Sequence, residues 1–164
     1  MAFHSYIQFK GQKQGAFHGE SLKKGRTDWS EVEAFEEVTQ VPIDSKSGRT
    51  SGHRTHFPIR VTKERGAASP QILQAIVTNE TLTTVIIEVV GHDGTGAKEV
   101  VVERTTLTNA CFSEFRRFVD LPTGEHSDHD TDNLETVALT FQKIELDCIP
   151  GKTQAVDDWQ DPTT

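Results

Sequence analysis

Residues 81–107 read TLTTVIIEVVGHDGTGAKEVVVERTTL. Two runs rich in β-branched residues, Thr81 to Val90 and Lys98 to Leu107, flank the link Gly91-His92-Asp93-Gly94-Thr95-Gly96, a pattern that folds as a β-hairpin. The unbroken apolar triplet Val85-Ile86-Ile87 predicts a strand covered on both faces. The link is no phosphate cradle: Lys98 does not follow Gly96 directly, and Glu99 stands where such a loop needs a hydroxyl residue.

Outward from this hairpin the chain keeps a strand-and-turn rhythm. Thr108 to Val119 reads as another strand, bent near Asn109, with Phe112, Phe115 and Phe118 as core or contact candidates. On the N-terminal side, Ser5 to Phe9 is a short strand with Tyr6 and Gln8 opposite Ile7 and Phe9, followed by a polar loop from Gly11 to Asp28. Trp29 to Val41 is read as a strand, with a helical turn in competition because of Glu31, Glu33 and Glu36. Pro42 to His56 carries almost nothing apolar and is expected to be a long exposed loop or an extended hairpin. In Phe57 to Lys63, alternation puts Phe57, Ile59 and Val61 on one face, with Pro58 near a strand start.

One stretch has helical period. Ile72, Leu73, Ile76 and Val77 recur at that spacing after Ser69-Pro70, so a short helix over about 69–78 is expected, capped by Ser69. Near the other end, Val137, Leu139 and Phe141 share one parity and Ile144, Leu146 and Cys148 the other. A β-bulge near Gln142-Lys143 would turn all six inward. Residues 1–150 are read as one domain, and 151–164 as a polar tail that stays mobile unless a partner holds it. Many strands, one helix and no strand-helix alternation give a mainly β fold: an antiparallel barrel or sandwich of two sheets.

With 164 residues, a net charge of −8 and 34% hydrophobic residues, the chain is expected to be ordered and soluble and to avoid nucleic acid and anionic membranes. No apolar run approaches the roughly 20 residues that span a bilayer, and Met1 to Lys10 lacks the pattern of a signal peptide, so folding in the cytoplasm is expected. Cys111 and Cys148 have no CxxC or Cys/His partners and are expected to be small, buried and reduced. Asp128, Asp130 and Asp132 imitate the start of a calcium loop, but Asn133 occupies the glycine position and Leu139 the place of the bidentate Glu. With His126 and His129 nearby, a solvated acidic turn is the preferred reading. His53 and His56 are expected to face solvent or pack against a neighbour. No hydrolase, zincin or catalytic-cysteine signature is present, so neither an enzyme nor a cofactor is expected.

The order of several segments resembles one family over nearly the whole chain. They are Met1-Ala2-Phe3-His4-Ser5-Tyr6-Ile7, Gly19-Glu20-Ser21, Trp29-Ser30-Glu31-Val32, Ser51-Gly52-His53-Arg54, Val61-Thr62-Lys63-Glu64 and Ala68-Ser69-Pro70-Gln71-Ile72-Leu73-Gln74-Ala75. Thr78-Asn79-Glu80-Thr81-Leu82, Leu107-Thr108-Asn109-Ala110 and Phe141-Gln142-Lys143-Ile144-Glu145 complete the series. Together they resemble the haemolysin-coregulated proteins of the type VI secretion system. The resemblance implies a barrel with one helix at its side, assembling as hexameric rings that stack into a hollow tube. It also implies partners: a contractile sheath, a spike protein and small effectors in the lumen, with secretion by the machine itself and no signal peptide. A phage-type tail-tube protein and, less well supported, a ligand-binding β-sandwich are the rival readings. The departures are a longer first loop at Gly11 to His18 and little sequence beyond the last strand for a fused toxin domain. Ring stacking is expected on the polar loop, through Asp44, Lys46, Arg49, His53 and Arg54, whose balance is positive on an acidic protein.

Overall fold

The computed structural model describes residues 3–96, 98–118 and 133–161. In chain order the elements are β1 (His4–Gly11), β2 (Gly15–Ala16), β3 (Ser30–Glu36), β4 (Thr39–Gln40), β5 (Thr55–His56), β6 (Ile59–Glu64), α1 (Ala68–Val77), β7 (Leu82–His92), β8 (Glu99–Arg117), β9 (Leu134–Thr140), β10 (Lys143–Cys148) and β11 (Thr153–Asp158). The hairpin at 81–107 is present as β7 and β8, but β8 does not end at Leu107. It runs on through the segment read as a separate strand and is 19 residues long. Asn109 adopts φ 50°, a left-handed conformation that Asn tolerates better than most residues. Before this bend β8 lies between β7 and β10; beyond Ala110 it pairs with β9. The change of partner closes a six-stranded antiparallel barrel in the order β8, β7, β1, β3, β6, β9 and back to β8, with β10 and β11 extending the sheet outside it.

Inward positions of these strands meet in one apolar core that includes Ile7, Phe9, Ile59, Val61, Leu82, Val85, Ile87, Leu107, Val137 and Leu139. Phe9, Phe17 and Phe112 pack together at one end, with ring centroids 5.3–6.4 Å apart. Tyr6 does point away from Ile7 and Phe9, yet it is buried too. Arg26 from the 17–29 loop lies 4.7 Å over its ring and 4.9 Å from that of Trp29, and pairs with the buried Glu88 at 2.6 Å.

Several expectations are corrected. The helix starts one turn position earlier, with Ala67 at its N-cap and no side-chain cap. Ser69 therefore sits inside the first turn, where Pro70 still costs nothing because those amides have no intrahelical partner. Of the apolar helix residues, Ile72 is buried and Ile76 packs on the core, whereas Leu73 and Val77 are exposed and Ala75 takes the inward place. Trp29 to Val41 splits into β3 and β4. Phe57 precedes β6 and is exposed. The chain breaks at Phe141-Gln142 instead of bulging, and only Ile144 of the second trio is buried; Leu146 and Cys148 are exposed because β10 lies outside the barrel. Cys111 and Cys148 are free, as expected, but both are exposed. The segment read as a mobile tail forms β11 along β10, from Cys148↔Thr153 to Lys143↔Asp158. The acidic turn with His126, Asp128, His129, Asp130 and Asp132 lies outside the described residues.

The alternation of β6 carries an unexpected passenger: Ile59, Val61 and Lys63 share the inward face, and Lys63 is completely buried. Its amine donates to Glu64 O at 2.7 Å and pairs with Glu135 Oε1 at 2.9 Å and Glu20 Oε1 at 3.2 Å. Glu135 is equally buried and also accepts from Ser69 Oγ, while Glu20 accepts from Ala68 N. The start of α1 is thus bolted to β6, β9 and the first loop by charge rather than capped locally. Gly66 is required here, since a Cβ would fall 2.0 Å from Glu20 Cγ. At the other end of α1, Glu80 accepts from Lys13 N, Gln14 N and Gln14 Nε2. Burial pushes its carboxyl up, but the bonds from Gln14 and Lys13 outweigh that and hold it below the usual range. Replacing Lys63 with Met leaves the buried Glu135, among the described residues, with only the exposed Arg117, 4.0 Å away, as a cation and should cost about 3–5 kcal/mol. A Lys63→Met/Glu135→Leu double variant should recover a large part of it, as read from urea denaturation midpoints.

Candidate functional site: the projecting hairpin and its root

Between β3 and β6 the chain leaves the barrel. Thr39 and Gln40 pair with His56 and Thr55, an isolated bridge joins Ile43 to Thr50, and the tip turns at 44–49. Of the two forms expected for Pro42 to His56, the extended hairpin is the one found. Asp44 organises the tip: its carboxylate accepts from Lys46 N at 3.0 Å and Ser47 Oγ at 2.7 Å, and those bonds hold its pKa below the usual value. Gly48 supplies the left-handed residue of the turn, at φ 68°. No residue from 41 to 53 is buried, so the tip carries out no packing for its own barrel.

The five residues picked from sequence therefore part company. Asp44 is occupied inside the turn. Lys46 and Arg49 project from the tip with no ion pair among the described residues, and His53 is exposed. Arg54 instead turns back to the barrel, donating through Nε and Nη2 to the two carboxylate oxygens of Asp157 at 2.7 and 2.5 Å, and through Nη2 to Asp158 O. His56 reaches the same carboxylate, with Nε2 2.5 Å from Asp157 Oδ2 and Nδ1 2.9 Å from Thr39 Oγ1. Its ring packs against both Phe141 and Trp159, with centroids 5.4 and 5.5 Å away. The end of β11 is fixed in turn by Trp159 N donating to Gln142 O. A groove of about 460 Å³ opens where these elements meet, lined by His56, Phe57, Pro58, Phe141 and Trp159 among others.

Sequence reading missed Asp157, His56 and Trp159 as members of one cluster. About 100 residues separate His56 from Asp157, and no local pattern links them. The only local hint was the strand-compatible run Thr153 to Val156 ahead of an aromatic residue. Elsewhere, among the described residues, no group of three or more His, Cys, Asp or Glu side chains is placed to hold a metal ion.

The family model described as "Type VI secretion system effector, Hcp" matches residues 6–147. The chain belongs to the Hcp family of type VI secretion tube proteins. A relative, the major exported protein of Pseudomonas aeruginosa, is 30% identical over 171 residues, covering 99% of this chain and 98% of that one. Among solved structures, an Hcp protein has a TM-score of 0.87 at 24% identity, covering 98% of this chain and 99% of the other. Hcp1 from the E. coli EAEC 042 pathovar has a TM-score of 0.82 at 26% identity, covering 96% and 99%. Membership selects the Hcp reading of the sequence over the two rivals and supports a tube-forming, structural role.

In this Hcp chain Asp157 is held down to about 2, first by its bonds to Arg54 and then by His56, against an upward push from desolvation. A carboxyl depressed in the folded state contributes stability that is complete above its unfolded value near 4 and disappears as pH falls through the folded value. The contact between β11 and the hairpin root should therefore loosen between about pH 4 and 2. Tryptophan fluorescence followed down that range should show a step that Asp157→Asn lacks.

Proposed function

We propose that this chain is the tube subunit of a type VI apparatus, closing into hexameric rings that stack into a hollow tube. A contractile sheath expels the tube with its spike, and small effectors ride in the lumen. The observation that carries this reading is the family match over residues 6–147. The surface supports it. Leu73 and Val77 on α1 and Ile43 on the hairpin are at least half exposed, and Leu22 is fully so. Large apolar side chains left outside on an otherwise acidic barrel suit a protein that buries them against copies of itself. The subunit folds in the cytoplasm before assembly, and the machine itself exports it.

Within this reading the hairpin joins one ring to the next. Its tip contributes nothing to the barrel core, and Lys46 and Arg49 give it positive charge on a chain of net charge −8, so an acidic face of the adjoining ring is its partner. The ring is tested by multi-angle light scattering and negative-stain microscopy: six-subunit rings are expected, and a monomer mass at high concentration would refute the proposal. Reversing the tip charges with Lys46→Glu/Arg49→Glu should preserve rings and reduce stacking at least tenfold. Stacking of the unaltered protein should weaken as salt rises from low to about 0.5 M. Tubes that are indifferent to both changes would remove the hairpin from the stacking contact.

A further inference from the structure

The hairpin is long, exposed and joined to the barrel by only two short chain crossings, so its direction is not fixed by its own ladder. Beyond the pairs at Thr39↔His56 and Gln40↔Thr55 it has a single bridge, Ile43↔Thr50. Its returning arm rests on Phe141 at the barrel's edge, but the polar grip on it comes from β11. Arg54 and His56 come from the hairpin; Asp157, Asp158 O and Trp159 come from the end of β11. Residues 153–159 also lie beyond the stretch 6–147 that the family model matches.

We infer that Asp157 is a positioning residue for assembly: by holding Arg54 and His56 it sets the pose of the hairpin, and so makes β11 a latch on which ring stacking depends. The geometry is specific enough for that role. A carboxylate gripping a guanidinium fork through both oxygens fixes orientation as well as distance, which a single-point contact does not. The imidazole, accepting or donating at two ends and in contact with two aromatic rings, restrains the arm from rotating about the ion pair. Trp159 closes the assembly by tying β11 to Gln142 at the break between β9 and β10. A hairpin held in one pose before contact loses less freedom when it docks, so releasing it should weaken stacking without removing any residue that touches the next ring.

This inference rests on the reading that the hairpin joins rings, and the experiment separates the two. Asp157→Asn and the exchanged pair Arg54→Asp/Asp157→Arg are compared with the unaltered full chain. Hydrogen exchange of residues 39–56 reports the pose, and sedimentation with microscopy reports rings and tubes. Asp157→Asn should form rings, lose at least tenfold of the exchange protection at Gln40 and Thr55, and stack at least tenfold less well. The exchanged pair should restore a substantial part of both. Should Asp157→Asn keep its hairpin protection and its tubes, or the exchanged pair restore neither property, the latch is overturned. If Asp157→Asn loses protection yet stacks as before, the coupling of pose to stacking is overturned. The Lys46→Glu/Arg49→Glu variant reports separately on whether the hairpin stacks rings at all, because it leaves the latch residues in place.

Discussion

The bend of β8 at Asn109 is the constraint on which the rest of the architecture depends. A strand of 19 residues has only two edges, yet this one pairs with three neighbours, β7, β10 and β9. It can do so because a left-handed residue redirects it part-way, so that its second half meets β9 and completes the barrel while its first half still offers an edge to β10. Asn109 Nδ2 donates to Gln142 Oε1, and Gln142 N donates to Thr108 O, so the bend in β8 is joined to the break between β9 and β10. From that junction come both the closed barrel and the outlying β10-β11 pair that reaches the hairpin.

Charge as well as apolar packing attaches the helix to this barrel. Its buried face is small, with Ala68, Ser69, Ile72 and Ala75 turned inward. Its two ends are held by carboxylates: Glu20 and Glu135 through Lys63 at one, Glu80 at the other. Such contacts are directional, so they set the position of α1 along the barrel wall more sharply than four small contacts could. Leu73 and Val77 are thereby left on the outside, available for burial against another copy.

The segments that carried the family resemblance are largely those that meet in these knots. Gly19-Glu20-Ser21 approaches Trp29 so closely that a Cβ on Gly19 would lie 2.1 Å from its carbonyl oxygen, and Glu20 goes on to Lys63 and Ala68. Leu107-Thr108-Asn109-Ala110 meets Phe141-Gln142-Lys143 at the barrel junction. Scattered fragments that look weak one by one form a few closely fitted sites, each needing specific side chains or the absence of one.

By itself the sequence determined the mainly β class, the hairpin at 81–107, the bend near Asn109, the short helix and the exposed, polar character of 42–56, because each is written in neighbouring residues through period, turn chemistry or backbone preference. The family, too, was legible in the order of short segments. Tertiary structure alone decided which partner each strand takes, and with it the outcomes that periodicity misjudged. Lys63 has the parity of a core residue and is buried, which Glu135, 72 positions away and opposite it in the register of β9 with β6, makes tolerable together with Glu20 and Glu64 O. Ile144, Leu146 and Cys148 share a parity, but only the first lies over the barrel, since β10 passes beyond its rim. Arg54 reads as a free loop charge and is instead half of a salt link to a strand that looks like a tail. Local pattern fixes the side of an element on which a residue stands; what stands opposite it depends on chain segments distant in sequence, and only the closed barrel brings those together.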